Sequence, residues 1–275
     1  MSLLQVAVLA LIQGFTEFLP ISSSAHLALA PWLLGWQDQG LAFDIALHLG
    51  TLAAVLLYFA RDWIQVLAQG FGFRAGHDPE LKRNRGLLWL LALGSLPIGV
   101  LGYLFKEHAE TTLRSPFVIG TMLILVAMLM EAAERSSRQQ KTIEHVGVFD
   151  ALIIGLAQAV AIIPGTSRSG ITITAGLACN FERAAAARFS FLLSTPAIVA
   201  AAGKAFWDLH KAGGIGADMV APFVLGMVLS AASGLAAIGF LMRYLREASL
   251  RVFVYYRIVF GILVIALAIF RHPAE

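Results

Sequence analysis

A carboxylate, three consecutive hydroxyls and an imidazole stand close together near the start of the chain, as Glu17, Ser22, Ser23, Ser24 and His26. A hydroxyl, an imidazole and a carboxylate near a helix N-terminus make a nucleophile, a base and an orienting group or metal ligand. Gln13 is four residues before Glu17 and shares its helix face. A second polar knot reads Pro164-Gly165-Thr166-Ser167-Arg168-Ser169-Gly170-Ile171-Thr172. Gly165 permits a sharp turn, and Thr166 and Ser167 suit the cap of a following helix. Free N–H groups at such a terminus attract anions. Arg168 adds a planar fork for phosphate or carboxylate, and Ser169 and Thr172 add donors. The plainer readings are serines that mend backbone bonds in a broken helix, and an Arg168–Glu17 pair that serves as glue.

Both knots interrupt apolar sequence. The chain has 275 residues, 59% hydrophobic and 13% charged, with mean hydropathy +0.78. A soluble domain carries roughly 25% charge. Apolar runs of membrane-crossing length recur throughout, which gives an all-α polytopic membrane protein. An ionisable group inside a membrane costs several kcal/mol unless paired or wetted, so it is read as functional. Spans are expected at about 41–60, 86–105, 115–133, 185–205, 219–241 and 251–270. Residues 2–34 and 148–180 are each broken in the middle, by Pro20 and by Pro164-Gly165. They are expected to form two re-entrant helical hairpins, because broken backbone is tolerated at membrane depth only inside protein or beside a wet cavity.

The chain also repeats itself. At an offset of 144, Pro20 falls on Pro164, Ser22 on Thr166, Ser23 on Ser167, Thr51 on Thr195 and Trp63 on Trp207. Lys106-Glu107 resembles Arg246-Glu247 at a slightly shifted register. One membrane domain over 1–275 is expected, with repeat one at about 1–133 and repeat two at about 148–270. Each half then holds one hairpin and three spans, and an odd number of spans inverts the second half. Inverted repeats place their sites at the midplane, where broken helices meet.

Thirteen of the 20 Lys and Arg residues fall on one side, from Arg61 to Arg251. Five fall on the other: Lys106, Arg114, Lys204, Lys211 and Arg271. Arg168 and Arg257 lie within the membrane. The richer side is expected to be cytoplasmic, so the first hairpin enters from outside and the second from the cytoplasm. Arg257 is expected to snorkel to the interface, with support behind the site as the other reading. His48 either lines the outer cavity or packs with a backbone bond. His77, His108, His145, His210 and His272 show no metal spacing. The start of the chain lacks the marks of a removable signal peptide, and the lone Cys179 excludes an internal disulfide.

The two knots together suit a dense anion such as a phosphate or diphosphate, carried by an amphipathic lipid that reaches mid-membrane depth. A secondary transporter or flippase for an anionic or lipid-phosphate substrate is the alternative, because transporters also aim broken helices at anions. Nothing resembles a nucleotide loop or a nucleic-acid module.

Three stretches resemble the undecaprenyl-diphosphate phosphatase family of bacitracin-resistance type: Gln13 to Glu17 followed by Pro20-Ile-Ser-Ser-Ser-Ala-His26, Pro164 to Thr172, and Arg188-Phe-Ser-Phe-Leu-Leu-Ser-Thr-Pro196. The resemblance covers essentially the whole chain. It implies hydrolysis of undecaprenyl diphosphate to undecaprenyl phosphate with Mg²⁺ or Ca²⁺, at the outer (periplasmic) face of the bacterial cytoplasmic membrane. That step recycles the cell-wall carrier lipid and confers bacitracin resistance. It leaves room for a homodimer. Position 13 departs from the doubly acidic form of the pattern, so a metal would rest on Glu17, Gln13, substrate phosphate and water.

The expected roles follow. Arg168, Gly165, the hydroxyls of Ser22, Ser24, Thr166, Ser167, Ser169 and Thr172, and the N–H groups of 166–169 hold the diphosphate. Ser23 attacks, His26 activates it or protonates the leaving oxygen, and Glu17 binds metal or orients His26. A rival makes His26 or a water the nucleophile.

Overall fold

The computed structural model describes residues 1–37, 41–110, 113, 115–211, 214–216 and 219–271. Arg114 and His272 lie outside them, as do the side chains of Lys106, Glu107, His108 and Arg271. The described residues form twelve α-helices: α1 Leu3–Phe18, α2 Ser23–Leu34, α3 Leu41–Tyr58, α4 Ala60–Gly70, α5 Pro79–Arg83, α6 Leu87–Glu110, α7 Pro116–Ser136, α8 Val148–Val160, α9 Arg168–Ala178, α10 Arg183–Lys211, α11 Val220–Glu247 and α12 Arg251–Arg271.

Five helices are long and apolar enough to cross a membrane: α6, α7, α10, α11 and α12. The expected sixth span, 41–60, is α3, which qualifies only together with α4, and the pair bends by 71° after Tyr58. The reason lies in composition. α4 carries Arg61 and Asp62 with buried Gln65 and Val66, while Ile64 and Leu67 face outward, so it is amphipathic where α3 is apolar apart from Asp44, His48 and Thr51. α10 and α11 run past the ends assigned from hydropathy, because their terminal turns are polar but still helical. Leu57, Tyr103 and Phe149 are widely exposed, as a lipid-facing surface requires and a water-facing one resists.

The two broken segments fold as short helix pairs. α1 and α2 have 16 and 12 residues, α8 and α9 have 13 and 11. At 1.5 Å per residue none reaches beyond about 24 Å, short of the ~30 Å hydrocarbon core. Their close neighbours are small residues. Gly14 of α1 lies against Ser230, Ser233 and Gly234 of α11, and Gly155 of α8 lies against Gly94 of α6. Without a hydrophobic force between helices in lipid, such backbone approach is a main source of packing energy.

A polar layer ties α4, α5 and α10 at one end. Arg188 Nε donates to Asp62 at 2.7 Å, and its Nη2 donates to Asp78 at 2.9 Å. Glu80 stands 3.8 Å from Nη1. Asp78 also caps α5 through Leu81 N–H. Burial alone would raise the Asp78 carboxyl, but Leu81 N–H and Arg188 outweigh it and hold the group below the usual carboxylate range. Burial pushes Glu80 up, with Arg188 only partly opposing it.

Candidate active site

The two knots share one unusual local geometry. α2 starts at Ser22 with φ 78°, ψ 95°, and α9 starts at Ser167 with φ 69°, ψ 113°. Non-glycine residues avoid this region, at a cost of roughly 1–3 kcal/mol each. Each hydroxyl caps its helix, Ser22 accepting from Ala25 N–H and Ser167 from Gly170 N–H. Each also bonds the serine two residues on, Ser22 to Ser24 at 3.1 Å and Ser167 to Ser169 at 3.2 Å. The structural match is therefore one residue off the offset of 144. Ser22 corresponds to Ser167, Ser23 to Arg168 and Ser24 to Ser169. The slip arises after the prolines: Ile21 alone separates Pro20 from its cap, while Gly165 and Thr166 separate Pro164 from its own.

The knots grip each other. Gly165 N–H donates to Ser24 Oγ, and Ser169 Oγ donates to Leu19 O at 3.2 Å. Arg257 then joins both turns. It is 0% exposed, and its guanidinium donates to the carbonyls of Pro20, Gly165 and Thr166, and to Met122 and Leu123 of α7. The expectation that Arg257 snorkels is overturned. Five carbonyl dipoles converge on it inside the protein and make that position better than the interface.

Ser23, the nucleophile candidate, donates to Glu17 Oε2 at 2.6 Å, and Gln13 Nε2 donates to the same oxygen at 3.2 Å. The expected relay from Ser23 through His26 is not made. His26 Nδ1 meets Ser22 O at 2.7 Å, and its Nε2 meets the Tyr256 hydroxyl at 2.6 Å. Its ring stacks on Phe260, 4.5 Å between centroids. The cause is helical geometry. A ring one turn into α2 reaches back to the carbonyl four residues before it, and Nδ1 is occupied there. His48 does the same with Asp44 O, as its packing reading anticipated.

Arg168 acts on Glu17 electrostatically, but no contact-distance ion pair joins the two among the described residues. Its Nη1 is buried with no hydrogen-bond partner among the described residues. Both line one recess, with Ser169, Ser190 and Ser194 as its other polar members and Phe18, Phe191 and Ile198 as its apolar wall. The remaining candidates spend their hydroxyls on the backbone. Thr172 donates to Arg168 O at 2.7 Å, and Thr166 donates to Val160 O at 3.3 Å. Thr166 N–H goes to Ile163 O, so the free N–H groups of this turn begin at Ser167. Sequence reasoning weighed Arg257 only as support behind the site, its second reading, and passed over Tyr256, Ser190 and Ser194. For the last two a signal existed, because they lie in the third matched stretch, which was given no chemistry.

A family model described as "Bacitracin resistance protein BacA" matches residues 6–263. The chain belongs to the BacA family. It is 45% identical over 271 residues to an undecaprenyl-diphosphatase of Pelotomaculum thermopropionicum, covering 98% of both chains. It is 46% identical over 266 residues to one of Moorella thermoacetica, covering 97% of this chain and 98% of the other. An "Undecaprenyl-diphosphatase 2" of Stutzerimonas stutzeri is 45% identical over 277 residues, at 97% and 98% coverage. The BacA match spans both knots and Arg257, so the assembled region lies wholly within the family's extent.

The divalent metal implied by resemblance to this family has a sparse donor set. No cluster of three or more His, Cys, Asp or Glu occurs among the described residues. Gln13 Oε1, however, is buried with no partner among the described residues beside Glu17. A neutral amide oxygen next to one carboxylate fits a hard cation that retains water and takes phosphate oxygens.

Proposed function

We propose that this BacA-family protein is an undecaprenyl-diphosphate phosphatase acting at the two joined knots. The observation that carries the reading is the Ser23–Glu17 hydrogen bond of 2.6 Å beside Arg168, whose buried Nη1 has no hydrogen-bond partner among the described residues. Glu17 is placed to accept the Ser23 proton. The Ser23 oxygen then attacks the terminal phosphorus, the phosphoanhydride bond breaks, and undecaprenyl phosphate leaves. Water hydrolyses the phosphoserine, giving orthophosphate and restoring the hydroxyl. Arg168 and the N–H groups of Ser167, Arg168 and Ser169 stabilise the equatorial oxygens. Ser22 O fixes the proton on His26 Nδ1, so Nε2 accepts from the Tyr256 hydroxyl, and it serves the leaving oxygen only after it gains a proton and leaves that contact. A bound Mg²⁺ or Ca²⁺ would be held by Glu17 and Gln13 and would neutralise diphosphate charge.

The apolar wall of Phe18, Phe191 and Ile198 suits a lipid-borne diphosphate better than a free nucleotide. We place the basic loops in the cytoplasm, the two halves in inverted orientation, and the site open to the outer face. The thirteen-to-five division of Lys and Arg supports this.

Phosphate release from undecaprenyl diphosphate by purified protein in detergent tests the reading. Wild type should turn over, and chelator should suppress it. Arg168→Ala should lose about 10³-fold in rate, as for removal of an arginine that stabilises phosphoryl charge. Wild type that releases no phosphate, yet moves the lipid across proteoliposomes, would establish transport instead.

A further inference from the structure

Ser190 of α10 is 1% exposed, and its hydroxyl has no hydrogen-bond partner among the described residues. That is unusual for a helical serine, which ordinarily donates back to the carbonyl one turn earlier. Its neighbours on the same helix behave so: Ser194 donates to Phe191 O at 2.9 Å, and Thr195 donates to the same oxygen at 2.9 Å. Ser190 instead lines the recess that holds Glu17 and Arg168. Arg168, which lines the same recess, carries another buried donor without a partner among the described residues, its Nη1. A buried donor without an acceptor costs about 1–3 kcal/mol. Two such donors on residues that line one recess therefore mark a place where an acceptor-rich ligand belongs. The wall is apolar on one side, so the ligand must bring its oxygens to the polar side.

We propose that Ser190 is a phosphate-binding residue, and that its hydroxyl and Arg168 Nη1 clamp two oxygens of the terminal phosphoryl group and of the orthophosphate product. Glu17 also borders the recess and repels a fully ionised phosphate, so a donor beyond the Arg168 guanidinium strengthens the hold. This assignment rests on the diphosphatase reading for the substrate, but its ligand chemistry is that of any phosphate.

Thermal unfolding of the purified protein, with and without orthophosphate, tests it alongside steady-state kinetics on undecaprenyl diphosphate. Ser190→Ala should leave the melting temperature without phosphate unchanged or higher, because the lost hydroxyl makes no bond in the free protein. It should abolish most of the upward shift that orthophosphate gives wild type. Product inhibition by orthophosphate and kcat/KM should each weaken about 10- to 100-fold, the loss of one hydrogen bond to a charged group. Ser190→Thr, which keeps the hydroxyl, should recover part of both. A Ser190→Ala protein with lower intrinsic stability would show a structural partner and overturn the assignment. So would unchanged phosphate inhibition, or a wild type that orthophosphate neither stabilises nor inhibits. If wild type binds orthophosphate through Ser190 but leaves undecaprenyl diphosphate intact, the diphosphatase reading fails and this one stands.

Discussion

Arg257 bears on the site without facing its recess. Its donors end on the carbonyls of Pro20, Gly165 and Thr166, so it fixes the distance between Glu17 on one turn and Arg168 on the other. A lysine ammonium has three donors in a compact head and cannot span these acceptors as a guanidinium fork does. Arg257→Lys should therefore fold with a lower melting temperature and turn over about 10²-fold more slowly, because a misplacement near 1 Å is that costly. Equal stability and rate in that variant would remove Arg257 from the account. Such a residue is hard to read in sequence, because carbonyl acceptors belong to every residue and leave no pattern. Glu17, Ser23 and Arg168 were legible because charge and hydroxyls stand out against apolar neighbours. The His26 relay was misread because spacing gives a helical face, and says nothing of the backbone carbonyl that takes Nδ1.

At the scale of elements, the two helix breaks were legible from Pro20 and Pro164-Gly165 together with the polar residues beside them, whereas Pro31, Pro97 and Pro196 stay inside helices. Their relative register was not. The second knot holds one more residue between its proline and its cap, so an offset that matches prolines misses the caps by one residue. The bend after Tyr58 was missed too, because window hydropathy averages α3 into α4. The layer that receives α4 has a pH signature. A carboxylate held low, such as Asp78, stabilises the fold above its unfolded pKa of about 3.9, and that support is lost as pH falls through the folded value. A raised one, such as Glu80, favours the fold only below about 4.3 and costs stability once ionised. At pH 7 Asp78→Asn should thus lower the melting temperature by a few degrees, and Glu80→Gln should leave it equal or raise it. Shifts of the same sign in both variants would contradict the assigned directions.

For the whole molecule, composition and charge placement carry most of what is known. The apolar spans follow from hydropathy, and family membership agrees with the motifs that first drew attention. Orientation rests on Lys and Arg placement. Single cysteines at positions 74 and 211, in a Cys179→Ala background, should label from opposite faces of sealed vesicles, with position 211 reached from outside. Labelling of both from one face would undo the inverted arrangement.

The central claim is that the first knot supplies the attacking group and the second holds the phosphate. Rapid quenching with undecaprenyl diphosphate labelled on its terminal phosphate tests this most directly. The label should appear on Ser23 within a turnover in wild type, and Ser23→Ala should neither take label nor release phosphate at an appreciable rate. Full turnover by Ser23→Ala, with no label on the protein, would contradict it and assign the attack to water.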